Sequence, residues 1–374
     1  LTSMMDHPII AKEENQDEAC YRQFYEEAIS LCRKKRFHEV LEKCRYTSLD
    51  DEEEYSIDVI QPEKIEFKQN SYEDGENSII SFPEFLLLVL DVCTGGEQPA
   101  SHYQPDKLIE KFNALKTHFT AGEFYEKMLY YRLLLDYYTI RRDIKDGQGN
   151  YSLILKGPKD DNDKLKQYQS MLYVSTEAFY NWLKPYLRKL EQDELQSCAE
   201  MLAFLKKEDN ERHGVLPSRK DLSYKASGNI RYWFWRLDYY LWEQRSTFFN
   251  EEEQKIVEHY VFRRNRSIEH LHPQDESHNE EWEEEAVHSF GNLAMISQSF
   301  NSQQSNDHIQ IKFARIHEQI SNKSLQSIKM FLMCKLADFN YQNWTMKLAK
   351  EHEDKMIELL KQSYVCDIIL SGPS

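Results

Sequence analysis

The sequence predicts a mainly α protein, a multi-helix scaffold, on three observations. Only Gly 11 and Pro 10 occur in 374 residues, and such scarcity of helix breakers argues against a turn-rich all-β sandwich. Hydrophobic residues make up 40% and aromatics 13%, enough for a sizeable core and incompatible with disorder along the whole chain. Apolar residues also recur at helical spacing over long segments. At roughly 150 residues per domain, the length suggests two to three domains. The expected division is a helical scaffold over 1–225 and a second domain with flanking helices over 226–374.

Residues 17–34 (DEACYRQFYEEAISLCRK) read as an amphipathic helix with acids toward its start and basic residues at its end, as the helix dipole favours. Residues 49–78 are acidic and weakly periodic, a surface excursion with one short strand pair. Ser81-Phe82-Pro83-Glu84 opens a strongly apolar helix as a capping box, and Thr94-Gly95-Gly96 closes it. Helices are expected over 105–118 and 121–144, the second ending in Arg141-Arg142. Asp146–Asn150 is a hairpin loop leading into Tyr151–Leu155, which alternates like a strand. After the polar loop Lys156–Lys164, one or two helices fill 165–208, and 213–229 is a connector. Ile230–Arg245 places aromatics around a whole helix, so it should be buried. Its aromatics are read as core packing, not as a base-stacking platform. A β-prone run, Val257–Ile268, leads into a loop crowded with His, Asn, Gln and acids, and amphipathic helix returns over 325–364.

The net charge is −17, which opposes non-specific attraction to nucleic acid, so any such partner needs a specific site. The longest apolar run, Phe85–Leu90, is far short of the ~18 residues that span a bilayer. No membrane partner is therefore expected. The start carries no basic-then-apolar leader pattern, and seven scattered cysteines form no CxxC pair. A reducing cytoplasm is the expected setting.

The chemistry concentrates in Arg263–Lys312. Glu269-His270 ends the apolar run. A carboxylate there offers a hard oxygen ligand for Mg²⁺ or Mn²⁺, and a neutral imidazole can take a proton from water near pH 7. Pro273 turns the chain away. Gly291-Asn292-Leu293 begins a second apolar run, and Asn301 stands where a helix should begin, with an amide oxygen able to serve as a second ligand. The order is strand, loop, strand, helix, with the metal between the first strand's end and the helix start. That is the parts list of a one-metal nuclease.

The string IEHLHPQ…W…HSFGNL…NSQQSN…K resembles the HNH-type ββα-metal nuclease domain of GmrSD-like, modification-dependent restriction endonucleases. The run acidic-His-x-x-Pro-Gln is similar to HNH domains of CRISPR effector nucleases as well. The resemblance implies a ββα module embedded in the helical scaffold and a metal-dependent DNA endonuclease. By motif position, His270 would be the general base, and Glu269 and Asn301 would hold the divalent ion. Asn292 would brace the loop and orient His270. Asn306 and Lys312 match trailing positions, with Lys312 able to meet a phosphate. The carboxylate is Glu where many such domains have Asp. One site nicks one strand, so a double-strand break needs a homodimer or successive nicks. The resemblance implies modified phage or foreign DNA as substrate. It also implies a nucleotide-dependent sensor domain with a DGQQR motif, which this sequence lacks; Asp146–Gly149 only echoes it. With Leu as first residue, the chain reads as the C-terminal part of a longer protein.

Around the motif, His272 is expected on the solvent side of its loop. His288 either packs near the site or is a satisfied structural histidine. His308 is assigned to the surface, and Trp282 to an anchoring role in a solvated helix. Arg263-Arg264-Asn265-Arg266 abuts the motif, so Arg264 and Arg266 are candidate DNA-phosphate contacts. Two other readings stay open: a non-catalytic helical interaction module with a degenerate ββα element, and a ribonuclease toxin using the same site.

Overall fold

A computed structural model describes residues 18–43, 75–144, 151–158, 162–175, 178–264, 266–273, 282–297, 309–322 and 324–369. The described residues are mainly helical, as expected. The chain forms two compact units: Leu1–Asn162 with Leu183–Ser197, and Asp163–Trp182 with Cys198–Ser374.

The first unit contains helices α1 (Glu18–Arg33), α2 (Phe37–Lys43), α3 (Phe82–Cys93), α4 (Leu108–Leu115) and α5 (Ala121–Tyr138). The capping box read from the sequence opens α3: the Glu84 amide donates to the Ser81 hydroxyl and the Ser81 amide to the Glu84 carboxylate. Thr120 and Glu123 repeat the device on α5. The helix expected over 121–144 stops at Tyr138, because Thr139 takes an extended conformation and returns its hydroxyl to Leu135 O at 2.6 Å. Arg141–Ile144 instead becomes strand β2, the middle of an antiparallel sheet. It pairs with β1 (Gly75–Ser78) on one side and β3 (Tyr151–Ile154) on the other. Two flanking strands pair backbone groups that a helix end leaves open. The expected hairpin into Tyr151 is present; its loop, 145–150, lies outside the described residues.

In the second unit α6 (Asp163–Val174), α8 (Cys198–His213) and α9 (Ile230–Glu243) pack together; α7 (Phe179–Glu191) has residues in both units. The stretch 165–208 thus holds parts of three helices, not one or two. As expected, α9 is buried nearly all round. Its polar members are matched inside the core: Arg236 meets Asp209 at 2.9 Å, and Tyr168 and Tyr232 donate to the same carboxylate at 2.7 and 2.6 Å. Burial raises the pKa of Asp209, but the hydrogen bond from His213, the charge of Arg236 and the hydroxyl donors outweigh it and hold the group at about 2.

The β-prone run Val257–Ile268 divides differently from the expectation. Its start belongs to α10 (Glu251–Glu258), which Asn250 and Glu253 cap as a box, with three glutamates in the first turn. Caps and dipole outweigh the β propensity of Ile256-Val257. The strand is β4 (Arg266–His270), paired antiparallel with β5 (Leu293–Ser297). Helices α11 (Ile309–Ser321), α12 (Ile328–Leu336) and α13 (Met346–Ile369) follow. The 325–364 stretch is therefore two helices, broken where Asp338 and Phe339 take positive φ of 50° and 53°. Asp238 of α9 starts α12 by accepting the Lys329 amide at 2.8 Å and the Ser327 hydroxyl at 3.1 Å. Among the described residues no helix is long and apolar enough to cross a membrane.

Candidate functional site

The β4–β5 register places His270 opposite Leu293 and Glu269 opposite Ala294. Opposed residues share a face and neighbours alternate. Glu269 therefore stands on the face of Ala294 and Ile296, which pack with Phe313 and Ile316 of α11. His270 lies on the other face and is only 4% exposed.

On that face two imidazoles meet. His270 Nε2 is 3.1 Å from His288 Nδ1. The Tyr224 ring lies edge-on to His270 at 4.6 Å and stacks on His288 at 5.7 Å. Tyr224 remains 42% exposed, so one side of it covers the pair while another meets solvent. The connector holding Tyr224 is tied to the His288 backbone: the Tyr224 amide and the Ser223 hydroxyl donate to His288 O at 3.0 and 3.1 Å. Burial lowers the pKa of His288, and Lys225 adds to it against the opposite pull of Glu284. Lys225 is itself paired with Glu284.

Asn292 holds the loop. Its amide group donates to His272 O at 3.0 Å and Val287 O at 2.9 Å, while its oxygen accepts from the His272 amide at 2.8 Å and from Trp344 Nε1 at 3.1 Å. The carbonyl of Asn292 also accepts from the Leu271 amide at 2.9 Å, adding a rung beyond the last strand pair. The turn Phe290–Asn292 lies directly on α13: a Cβ on Gly291 would stand 2.2 Å from Ala349 O. Glycine at 291 is a requirement of close approach. His272 is not simply turned to solvent; its ring stacks on Trp282 at 4.1 Å.

Behind the hairpin, fully buried Lys329 donates to Leu293 O at 2.6 Å and lies 5.0 Å from the Phe290 ring. Burial pushes its ammonium from an ordinary 10.5 down to about 7, against the pull of Asp238 and Glu353. Between those values the unfolded chain binds a proton that the folded one does not, so stability rises with pH across this window. The gain is complete above the ordinary value and gone once pH falls through about 7. Lys329→Met is therefore expected to raise stability by about 1–3 kcal/mol at pH 6 and to lose roughly half of that advantage by pH 9. Denaturant unfolding of both proteins from pH 6 to 9 checks this; a constant difference would contradict it.

The other sequence candidates are placed as follows. Arg264 is an exposed residue whose guanidinium donates to Tyr173 O at 3.2 and 2.9 Å and lies over the Tyr173 ring. Arg266 pairs through its backbone with Ser297. Lys312 lies in α11, and the side chains of Arg266 and Lys312 lie outside the described residues. Asn301, Asn306 and His308 lie outside them entirely. Among the described residues, no group of three or more His, Cys, Asp or Glu is arranged to hold a metal ion. One carboxylate and one amide oxygen nonetheless suit a hard cation such as Mg²⁺, which keeps several of its own waters. Tyr224, Ser223, Trp344 and Lys329 were not anticipated. Only Lys329, a charge set just ahead of the apolar run Met330–Cys334, carries a signal in the sequence.

Residues 217–359 match the family described as GmrSD restriction endonucleases, C-terminal domain. No curated protein and no solved structure matches the chain. The matched segment begins just before the Tyr224 connector and ends within α13, so the hairpin, the histidine contact, the Asn292 clamp and the helix beneath Gly291 all fall inside it. Over residues 217–359 this chain is thus similar to the C-terminal domain of GmrSD restriction endonucleases.

Proposed function

We propose that this chain is the metal-dependent, DNA-nicking part of a modification-dependent restriction system, with an HNH-type ββα site built on the β4–β5 hairpin. The observation that carries this is the His270 arrangement. A buried imidazole closes a strand beside a carboxylate on the opposite face, in a loop clamped by Asn292, within a segment similar to restriction endonucleases. His270 takes the proton from a water, and the hydroxide formed attacks the phosphodiester phosphorus, breaking the bond to the 3′ oxygen. Glu269 and Asn301 would hold one Mg²⁺ or Mn²⁺, which when bound supplies Lewis-acid stabilisation of the charge on the phosphate and leaving oxygen. Asn292 keeps the loop after His270 in one conformation through both backbone groups of His272. Lys312 and Asn306 follow in the segment that would approach the phosphate, and Arg264 and Arg266 flank the strand's start. At net charge −17, the chain is expected to bind DNA weakly and with steep salt dependence. Delivery of modified phage or foreign DNA then falls to a nucleotide-dependent sensor domain elsewhere in the system, in the cytoplasm. A cut through both strands comes from two copies or two successive nicks.

Supercoiled plasmid incubated with Mg²⁺ or Mn²⁺ tests this reading. The wild-type chain is expected to produce nicked circles, abolished by chelator, and His270→Ala to reduce the rate by about 10²–10⁴-fold with an unchanged melting profile. Equal cutting by both proteins would remove His270 from the chemistry. A wild type that cuts RNA and spares plasmid would move the substrate class.

A further inference from the structure

A general base must come within hydrogen-bond reach of the water it deprotonates, yet His270 is 4% exposed. Part of its cover has to move before substrate can reach it. The Tyr224 ring forms one side of that cover, edge-on to His270 and stacked along His288. Its carrier is the short stretch Ser223–Asn229, which runs between two residues sunk in the core, Leu222 and Ile230. Tyr224, Lys225, Ser227, Gly228 and Asn229 are all exposed. Resting on the nuclease reading above, we infer that Ser223–Asn229 is a flap closed over His270, and that the Lys225–Glu284 ion pair is its latch.

The fastenings suit a part that opens. The Tyr224 amide and the Ser223 hydroxyl both donate to one acceptor, His288 O, at 3.0 and 3.1 Å. Lys225 reaches across to Glu284 on the short helix Glu284–Val287. Two further bonds lie within the stretch and its anchor: the Ala226 amide donates to Ser223 O and the Ile230 amide to Gly228 O, both at 2.9 Å. The stretch can swing without breaking them. Its ends do not swing, because the buried Leu222 and Ile230 side chains hold them in the core. Short loops pinned at both ends by rigid elements are the usual form of a lid over a reaction site. The latch itself is weak, since its partners are 57% and 76% exposed and an exposed pair contributes little. Opening therefore belongs to the low-cost local motions of the fold, separate from unfolding of the core.

Exchange of the Tyr224 amide with deuterated solvent reads the flap directly, because that N–H is bonded to His288 O when the flap is shut. Lys225→Glu and Glu284→Lys each set two like charges face to face. Each is expected to speed this exchange about two- to fivefold and to raise the nicking rate constant at saturating plasmid by a similar factor. One change makes the chain more acidic and the other less, so a shared direction belongs to the pair and not to overall charge. The double exchange, Lys225→Glu with Glu284→Lys, restores an opposite-charge contact and is expected to return both readings to within about twofold of wild type. Tyr224 exchange that is unchanged in both single variants overturns the proposal. So does measurable nicking that stays at the wild-type rate while exchange quickens, because the flap would then bar nothing. If no variant nicks plasmid while exchange responds as expected, the nuclease reading fails and the latched flap stands.

Discussion

Asn292→Ala is expected to cost the folded second unit roughly 3–5 kcal/mol and to abolish plasmid nicking. The fully buried carboxamide satisfies the amide and carbonyl of His272, the carbonyl of Val287 and the indole N–H of Trp344. Alanine leaves these groups buried without that partner, and each orphan costs about 1–3 kcal/mol unless water reaches it. The loop carrying His270's neighbours then loses the bonds that define it, so activity is lost even where the fold survives. Asn292→Asp sharpens the test. It preserves shape but turns acceptor oxygens toward the carbonyls of His272 and Val287, so it is expected to be nearly as damaging as alanine. Urea unfolding followed beside plasmid nicking measures both effects. An Asn292→Asp protein with wild-type stability and rate would show that the clamp positions nothing.

A comparable loss of stability, from a different cause, is expected at Asp209. Its carboxylate is fully buried and faces the equally buried Arg236, and it accepts from Tyr168 and Tyr232. Asp209→Ala strands the guanidinium in the core with two phenol hydroxyls deprived of their acceptor, at a cost of about 3–5 kcal/mol. Removing the partner charge as well, in Asp209→Ala with Arg236→Met, is expected to recover much of that loss, because the penalty lies in the unpaired charge and not in the missing attraction. Chemical denaturation of the single and double variants decides; a double variant less stable than Asp209→Ala would contradict the argument.

The parts of the molecule that could be read from one dimension share a property: their signals are local. The Ser81–Glu84 capping box, the buried aromatic helix around Trp235 and the strand at Tyr151 each depend on residues within a turn or two. The same holds for the order Glu269-His270, Pro273, Gly291-Asn292, in which each residue type suits a definite chemical task. Where expectation and structure part, a partner outside the run itself supplies the difference. Arg141–Ile144 continues a helical pattern in sequence, yet Gly75–Ser78 and Tyr151–Ile154 offer it two edges and it becomes a strand. Val257 lies in a β-prone run, but the Asn250 cap, seven residues earlier, commits it to helix.

For this protein, residue types and their spacing pointed to a helical scaffold and an acid–imidazole pair at a strand end, while the bracing role of Asn292 came only from the family resemblance. They could not establish who holds whom. Tyr224 comes to His270 from 46 residues upstream, Trp344 to Asn292 from 52 residues downstream, and Lys329 to Leu293 across 36. Those meetings follow from packing helices on a hairpin, where burial forces every polar group to find a partner regardless of its distance along the chain.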